Sequence, residues 1–232
     1  MKLTCILFLS ATLSMLFISA CKKDDSGTDN QPQIIVQHDA PLTDIDGNVY
    51  ATVKIGSQVW MAENLRVLKF RSGAVIFPIQ SPANWAANTT QPAYCYYDNQ
   101  PDSAAVYGAL YNGKAVTSSS GLAPAGWRIP SAADLTQLRV YLDSFNLEEG
   151  CLKEVGFAHW LSPNSGATTN TYFNALPSGY RSVNGTFTAR GYQGQWWLND
   201  GSSSFLLKHD EAQMQTATGT SMHGYAVRCI KE

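Results

Sequence analysis

The chain has 232 residues and a formal charge of −2, and only 15% of its residues are charged. That balance offers no basic surface for nucleic acid, and the length allows one domain of substantial size. Gly, Ser, Thr and Asn are plentiful, and all six tryptophans and all eleven tyrosines lie beyond residue 49. Long Glu/Lys/Leu-rich helical stretches are absent, so the composition predicts a β-rich exported domain with many turns.

In chain order, Lys2 precedes an apolar run from Cys5 to Ile18, closed by Ser19-Ala20-Cys21. A run this short falls below the roughly 20 apolar residues needed to cross a bilayer, and it has the layout of a secretory signal. The cysteine at the cut resembles the lipobox of bacterial lipoproteins. That resemblance implies a signal peptide over residues 1–20, cleavage before Cys21, and acylation of the Cys21 thiol and its new amino group. Several acyl chains on one residue exceed the two signals that stable anchoring requires, so the membrane is the expected partner at this end. Lys22 to Gln33 is polar, charged and free of apolar periodicity and residues 34–41 lead into the domain, so residues 21–41 are expected to be a flexible tether. Within them Lys23-Asp24-Asp25 resembles the export signal that sends Bacteroidetes-type lipoproteins to the outer face of the outer membrane. The competing reading is that any tether carries charges for solvation alone.

Cysteine usage limits cross-linking. With Cys5 removed and Cys21 taken by lipid, Cys95, Cys151 and Cys229 remain, which permits at most one bridge and leaves one thiol over. None forms a C-x-x-C pair, so neither a zinc nor a redox motif is suggested.

The folded part is expected from Leu42. Asp46-Gly47 is a hairpin signal. Val49, Ala51, Val53 and Ile55 alternate with Tyr50, Thr52 and Lys54 as in a half-buried strand. After Gly56-Ser57, Gln58–Met61 can pair back to complete a meander over residues 43–61. Ser131 with Asp134 three positions later predicts a helix over about 131–143, with Leu135, Leu138 and Leu142 as its apolar stripe. A shorter helical piece is expected over Leu147–Val155, weakened by Gly150. From Tyr180 onward strands and turns prevail, with Asn184-Gly185 the strongest hairpin signal. The later strand candidates are Arg190–Leu198, Ser204–Lys208 and Gly224–Ile230. No repeat of 20–50 residues is visible.

Several stretches together resemble a known family: Asp46–Tyr50 with Thr52–Leu65, Tyr107–Asn112, Gly126–Ser131, Phe173–Arg181, Gly194–Trp197 and Val227–Cys229. They are similar, in order, to the Fibrobacter succinogenes major paralogous domain of exported Bacteroidetes and Fibrobacteres proteins. The resemblance implies an α+β, C-type-lectin-like fold over residues 42–232, in the fold group that includes the formylglycine-generating enzymes. It implies no established activity. Many members carry a cysteine just before the Gly-Trp-Arg segment, where this chain has Ala123-Pro124-Ala125. The family-like partner left for Cys229 is therefore Cys95, with Cys151 as the free thiol. Members also tend to follow the tryptophan pair with Ser-Ser or Ser-Thr, and here Leu198-Asn199-Asp200 stands instead.

Sugar-binding C-type lectins hold Ca²⁺ with a Gln-Pro-Asp or Glu-Pro-Asn triplet and a Trp-Asn-Asp triplet. Gln100-Pro101-Asp102 and Trp197-Leu198-Asn199-Asp200 approach that set, and hard Ca²⁺ favours such oxygen ligands. The segments are about 95 residues apart, however, and Leu198 interrupts the second. Turn chemistry explains both, so neither a metal nor a cofactor is expected. Asp44–Asn48 mimics the start of an EF-hand, but Ile55 occupies the twelfth position, so a hairpin is expected. In a regular strand Trp196 and Trp197 face opposite ways, which would leave one ring exposed, with Tyr192 on the Trp196 side. A platform for a sugar ring or a partner protein is therefore expected at Trp196, Trp197, Asn199 and Asp200. The competing reading puts both rings in the core.

The catalytic inventory is thin. His38, His159, His209 and His223 are scattered, no nucleophile elbow or phosphate loop occurs, and Cys151 with His159 is the only nucleophile–base pairing available. The sequence thus reads as a lipid-anchored surface protein that is not an enzyme and that binds a glycan or a protein. A structural or adhesive role in a surface assembly is the first alternative, and an enzyme of the formylglycine-generating type the second.

Overall fold

The structure is a computed structural model that describes residues 36–168 and 171–232. The expected signal peptide, Cys21 and the tether up to residue 35 lie outside the described residues. Strands β1 (Val36–Thr43), β2 (Val49–Ile55) and β3 (Gln58–Met61) form an antiparallel meander. Strand β1 begins ahead of the boundary expected at Leu42, because Val36 to Asp39 pair with Ile55 to Thr52. Asp44 organises the first turn: its Oδ1 accepts from the N–H groups of Asp46 and Asn48, at 2.9 and 3.0 Å. This is a hairpin loop, as expected.

Burial along β2 departs from simple alternation. Tyr50 and Thr52 are buried while Val49 and Ala51 are exposed, and Val53 and Ile55 are buried again. The Tyr50 hydroxyl draws that side chain inward, donating to Asp44 Oδ2 at 2.6 Å and accepting from Arg66 N–H at 3.0 Å.

Two sheets organise the domain. The first runs β1-β2-β3-β14-β7, with β7 at Trp127–Arg128 and β14 at Ile230–Lys231. The second begins with β12 (Gln215–Thr218), β11 (Ser203–Lys208), β10 (Gln193–Trp197) and β8 (Ser178–Arg181). It continues through β13 (Gly224–Tyr225), β6 (Leu110–Asn112), β5 (Ala93–Cys95) and β4 (Phe77–Pro78), with β9 (Phe187–Arg190) added to β8. Both sheets are mainly antiparallel; β8–β10 and β4–β5 are parallel. Asn184-Gly185 makes the β8–β9 turn, as the dipeptide predicts.

The expected strand Gly224–Ile230 is two short strands in different sheets. Between them Ala226, Val227 and Cys229 accept from the N–H groups of Trp197, Leu65 and Met61. One short segment therefore stitches the sheets together near the end of the fold. Helices α1 (Pro82–Ala87), α2 (Ser103–Tyr107) and α3 (Gly113–Val116) are single turns or little more. The piece expected over Leu147–Val155 shrinks to a 3₁₀ turn at Glu149–Leu152.

Among the described residues, three cations are buried without a carboxylate partner. The Arg228 guanidinium lies 4.4 Å from the Phe173 ring centroid and 5.8 Å from that of Trp196. It donates to Asn64 Oδ1 and to the carbonyls of Phe173 and Asn174. Burial draws its pKa down to about 9, so it is still charged at neutral pH. Arg181 donates to the carbonyls of Gly185, Ile79 and Gln80 between the rings of Trp85 and Phe187. Lys153 Nζ donates to the carbonyls of Lys208 and Glu211. Carbonyl dipoles and aromatic faces thus do what a counter-ion would do elsewhere.

The bridge expected between Cys95 and Cys229 is not formed: Cys95, Cys151 and Cys229 are all free and buried. The physical reason is their placement. Cys95 packs with Trp85, Trp196 and Phe205 in one apolar cluster, and Cys229 packs with Tyr50, Ala123 and Trp197 in another.

Helix α4 (Ala132–Asp143) matches expectation, with Ser131 and Asp134 forming a capping box and Leu135, Leu138 and Leu142 buried. Asp134 also accepts from both terminal nitrogens of Arg128, at 2.6 and 2.8 Å, tying the helix to β7. Arg128 first, and then Ser131, hold the Asp134 carboxyl well below the usual carboxylate range against its burial. Such a group adds stability that is present above its unfolded pKa of about 4 and is lost as pH falls toward the folded value. Asp134→Asn is expected to cost about 2 kcal/mol at pH 7 and to flatten the loss of stability between about pH 5 and 2. Urea unfolding at several pH values checks this; parallel curves for the two proteins would contradict it.

Candidate functional site

Strand β10 carries the tryptophan pair expected to form a platform. Alternation holds, since Trp196 packs into one apolar cluster and Trp197 into the other. Both faces of the strand are covered, however, and each ring is 0% exposed. Trp196 stacks on Phe205 at 5.1 Å and donates from Nε1 to Asn64 Oδ1 at 2.7 Å. Trp197 lies 4.5 Å from the Tyr225 ring and donates to the Tyr111 carbonyl at 2.6 Å. Gly194 makes room for this, because a β-carbon there would lie 2.3 Å from the outer edge of the Trp196 ring. With ring faces and N–H groups all engaged, the pair offers no surface to a ligand. The exposed-platform expectation is therefore corrected, and the core alternative stands.

The other predicted residues separate. Asp200 Oδ1 accepts from the N–H groups of Ser202 and Ser203, at 2.8 and 2.6 Å, so it closes a turn. Burial pushes its carboxyl up, but the Ser203 and Ser202 bonds outweigh this and hold it below the ordinary value. Asn199 is exposed, with its N–H bonded to the Pro130 carbonyl. Gln100 and Pro101 are turn residues whose carbonyls accept from Ser103 and Ala104. Among the described residues, no three His, Cys, Asp or Glu side chains converge to hold an ion. Cys151 is buried, and burial pushes its thiol up to about 12. His159 instead meets Glu154, at 2.8 Å, and the edge of Tyr107. Tyr192 lies outside β10, exposed and edge-on to His209.

Of the predicted set, Asn199 lines a concavity, and it does so in unforeseen company. One concavity of about 310 Å³ is bounded by Thr43, Asp44, Ile45, Val67, Lys69, Arg71 and the segment Leu122 to Ala125. A second, of about 210 Å³, shares Arg71, Leu122 and Ala123 and runs past Ser118 and Trp127 to Asn199 and Glu232. Together they make a groove with Arg71 on their common wall.

Arg71 is held there by backbone pairing. Its N–H donates to the Gly121 carbonyl at 2.7 Å, and Ser72 N–H donates to that of Ser120 at 3.1 Å. Gly121 has φ +77°, and a β-carbon on it would lie 3.1 Å from Arg71 Nε, so the guanidinium rests against bare backbone. No ion pair or hydrogen bond engages the Arg71 guanidinium among the described residues, while Lys69 is paired with Asp46 at 2.9 Å. An exposed, seated and unpaired guanidinium is suited to accepting a carboxylate or a sulfate in bidentate fashion. Sequence reasoning missed Arg71 because the groove joins segments far apart in the chain, each unremarkable alone.

No curated protein and no solved structure matches this chain. The sequence profile of the Fibrobacter succinogenes major domain matches residues 53–231, from the middle of β2 through β14. The chain belongs to the Fibrobacter succinogenes major domain family.

Proposed function

We propose that this chain is a non-catalytic binding domain, held on the outer face of the outer membrane by lipid on Cys21, with the Arg71 groove as its ligand surface. The observation that carries this reading is the groove itself: two joined concavities meeting at a guanidinium that has no partner among the described residues. The buried thiols support a binding role over chemistry of the formylglycine-generating type, which needs reactive cysteines. Burial pushes both Cys95 and Cys151 up to about 12, far from the thiolate. The C-type-lectin-like fold is part of the same proposal, supported by the resemblance and by a β-rich domain with a single long helix. The anchoring reading rests on the leader and Cys21; no helix among the described residues is long and apolar enough to cross a membrane.

A second reading, part of a surface assembly, has its own observation. Phe157 is 66% exposed and Leu161 43%, and the bond from Leu161 N–H to the Gly191 carbonyl sets Leu161 beside exposed Tyr192. Exposed apolar groups mark an interaction surface when they form a contiguous patch.

The discriminating experiment screens the detergent-solubilised full chain against broad glycan and surface-protein panels. Ala125→Trp, which fills the first concavity, is expected to weaken any binding at least about tenfold, while Phe157→Ser leaves it unchanged. Binding that survives Ala125→Trp would remove the groove as the site. A large complex that disperses with Phe157→Ser would favour the assembly reading. For the anchor, Cys21→Ser is expected to abolish fatty-acid labelling in cells and shift the protein from membranes to the soluble fraction; unchanged labelling would contradict it.

A further inference from the structure

We propose that the groove takes an acidic polysaccharide, with Arg71 pairing to a carboxylate or sulfate and the Asn199–Glu232 end receiving sugar hydroxyls. This inference rests on the reading of the groove as the ligand surface, and it names the ligand class. Three observations carry it.

The first is the distribution of charge. Lys69 is neutralised by Asp46, at 2.9 Å, and Arg128 by two bonds to Asp134, at 2.6 and 2.8 Å. Arg71 is the groove cation left uncompensated among the described residues. A neutral ligand would leave that guanidinium to water, whereas an anionic group would gain charge-assisted, two-pronged hydrogen bonds. Asp44 also lines the first concavity, but its carboxylate already accepts from the Tyr50 hydroxyl, the Asn48 side-chain amide and the N–H groups of Asp46 and Asn48. Glu232 lines the far end, beyond Arg71, with exposed Asn199. A second anionic group is disfavoured there, while a carboxylate and an amide suit hydroxyl donors and acceptors. The groove is thus polar in sequence along its length, with an acid-binding station followed by a hydroxyl-binding one.

Second, Arg71 is seated in advance. The bond from Arg71 N–H to the Gly121 carbonyl fixes where the side chain starts, and the side chain lies over Gly121, where a β-carbon would come within 3.1 Å of Arg71 Nε. Less side-chain entropy is then lost on binding than for a free surface arginine.

Third, the groove offers side chains rather than main chain. The N–H groups of Arg71, Gly121, Trp127, Asn199 and Glu232 are already bonded to the carbonyls of Gly121, Ser118, Pro124, Pro130 and Gly126. An added peptide strand needs free main-chain donors and acceptors along an edge, and the bordering strand β7 has two residues. A polymer of acidic sugars needs neither, and two joined concavities match successive sugar residues.

The test measures binding of the full chain in detergent to polygalacturonate, dextran sulfate, neutral dextran and polyglutamate, by calorimetry or by retardation in polysaccharide-containing gels. One or both acidic polysaccharides are expected to bind and dextran is not, with the carboxylated and sulfated arms telling which acid is preferred. Arg71→Gln is expected to weaken that binding about tenfold or more. Lys54→Gln, the same charge change away from the groove, is expected to leave it within twofold, and raised salt to weaken it.

Equal losses in Arg71→Gln and Lys54→Gln would overturn the proposal in favour of diffuse charge attraction. Dextran binding as tightly as the acidic polymers, and still blocked by Ala125→Trp, would overturn the acidic class while leaving the groove in place. Polyglutamate binding with every polysaccharide silent would overturn it in favour of an acidic protein. Silence from all four polymers, on protein shown to be folded, would also overturn it.

Discussion

A guanidinium buried without a carboxylate is the constraint on which this domain turns. Arg228 lies on the segment that passes from one sheet to the other, and its donors reach Asn64, Phe173 and Asn174, three positions distant in the chain. Asn64 is the second half of the device. Its Oδ1 accepts from Arg228 and from Trp196 Nε1, while its Nδ2 donates to the Tyr107 carbonyl at 2.9 Å. A buried, unpaired cation would be costly, so the loops that supply its acceptors are held wherever the arginine sits. Arg181 applies the same arrangement in the second sheet, between Trp85 and Phe187. Many short strands and few helices are thus joined by cations that gather carbonyls.

That solution determines what is left for recognition. Trp196 stands against the Arg228 guanidinium and gives its N–H to the same asparagine, and Trp197 closes the opposite cluster on Tyr225. The residues that look most like a sugar platform are committed to joining the two halves of the core. Exposed recognition chemistry then falls to polar groups at the periphery, and the Arg71 groove is where a charge uncompensated among the described residues, an amide and a carboxylate line one concavity.

Features encoded over a few residues were legible in the sequence. The Asp46-Gly47 and Asn184-Gly185 turns, the Ser131–Asp134 capping box with its leucine stripe, and the meander were readable because each depends on adjacent side chains. Long-range placement was not. Alternation at Trp196 and Trp197 correctly puts the rings on opposite faces, but it cannot reveal that both faces are covered. The stretch Gly224–Ile230 reads as one strand because its composition says nothing of a change of sheet midway. Tyr50, rather than Val49, faces inward because of a bond to Asp44 six residues earlier, which periodicity does not register. Asn199, expected in a platform with the two tryptophans, instead lines the groove with Arg71, which has no local signal.

The most direct measurement is NMR mapping of the full chain, in detergent, on titration with an acidic oligosaccharide such as oligogalacturonate. The account predicts shifts at the backbone amides of Arg71, Ser118, Gly121 and Asn199. The indole N–H signals of Trp196 and Trp197 should stay unshifted and slow to exchange with solvent. Shifts centred on those indoles, with the groove amides unmoved, would contradict it.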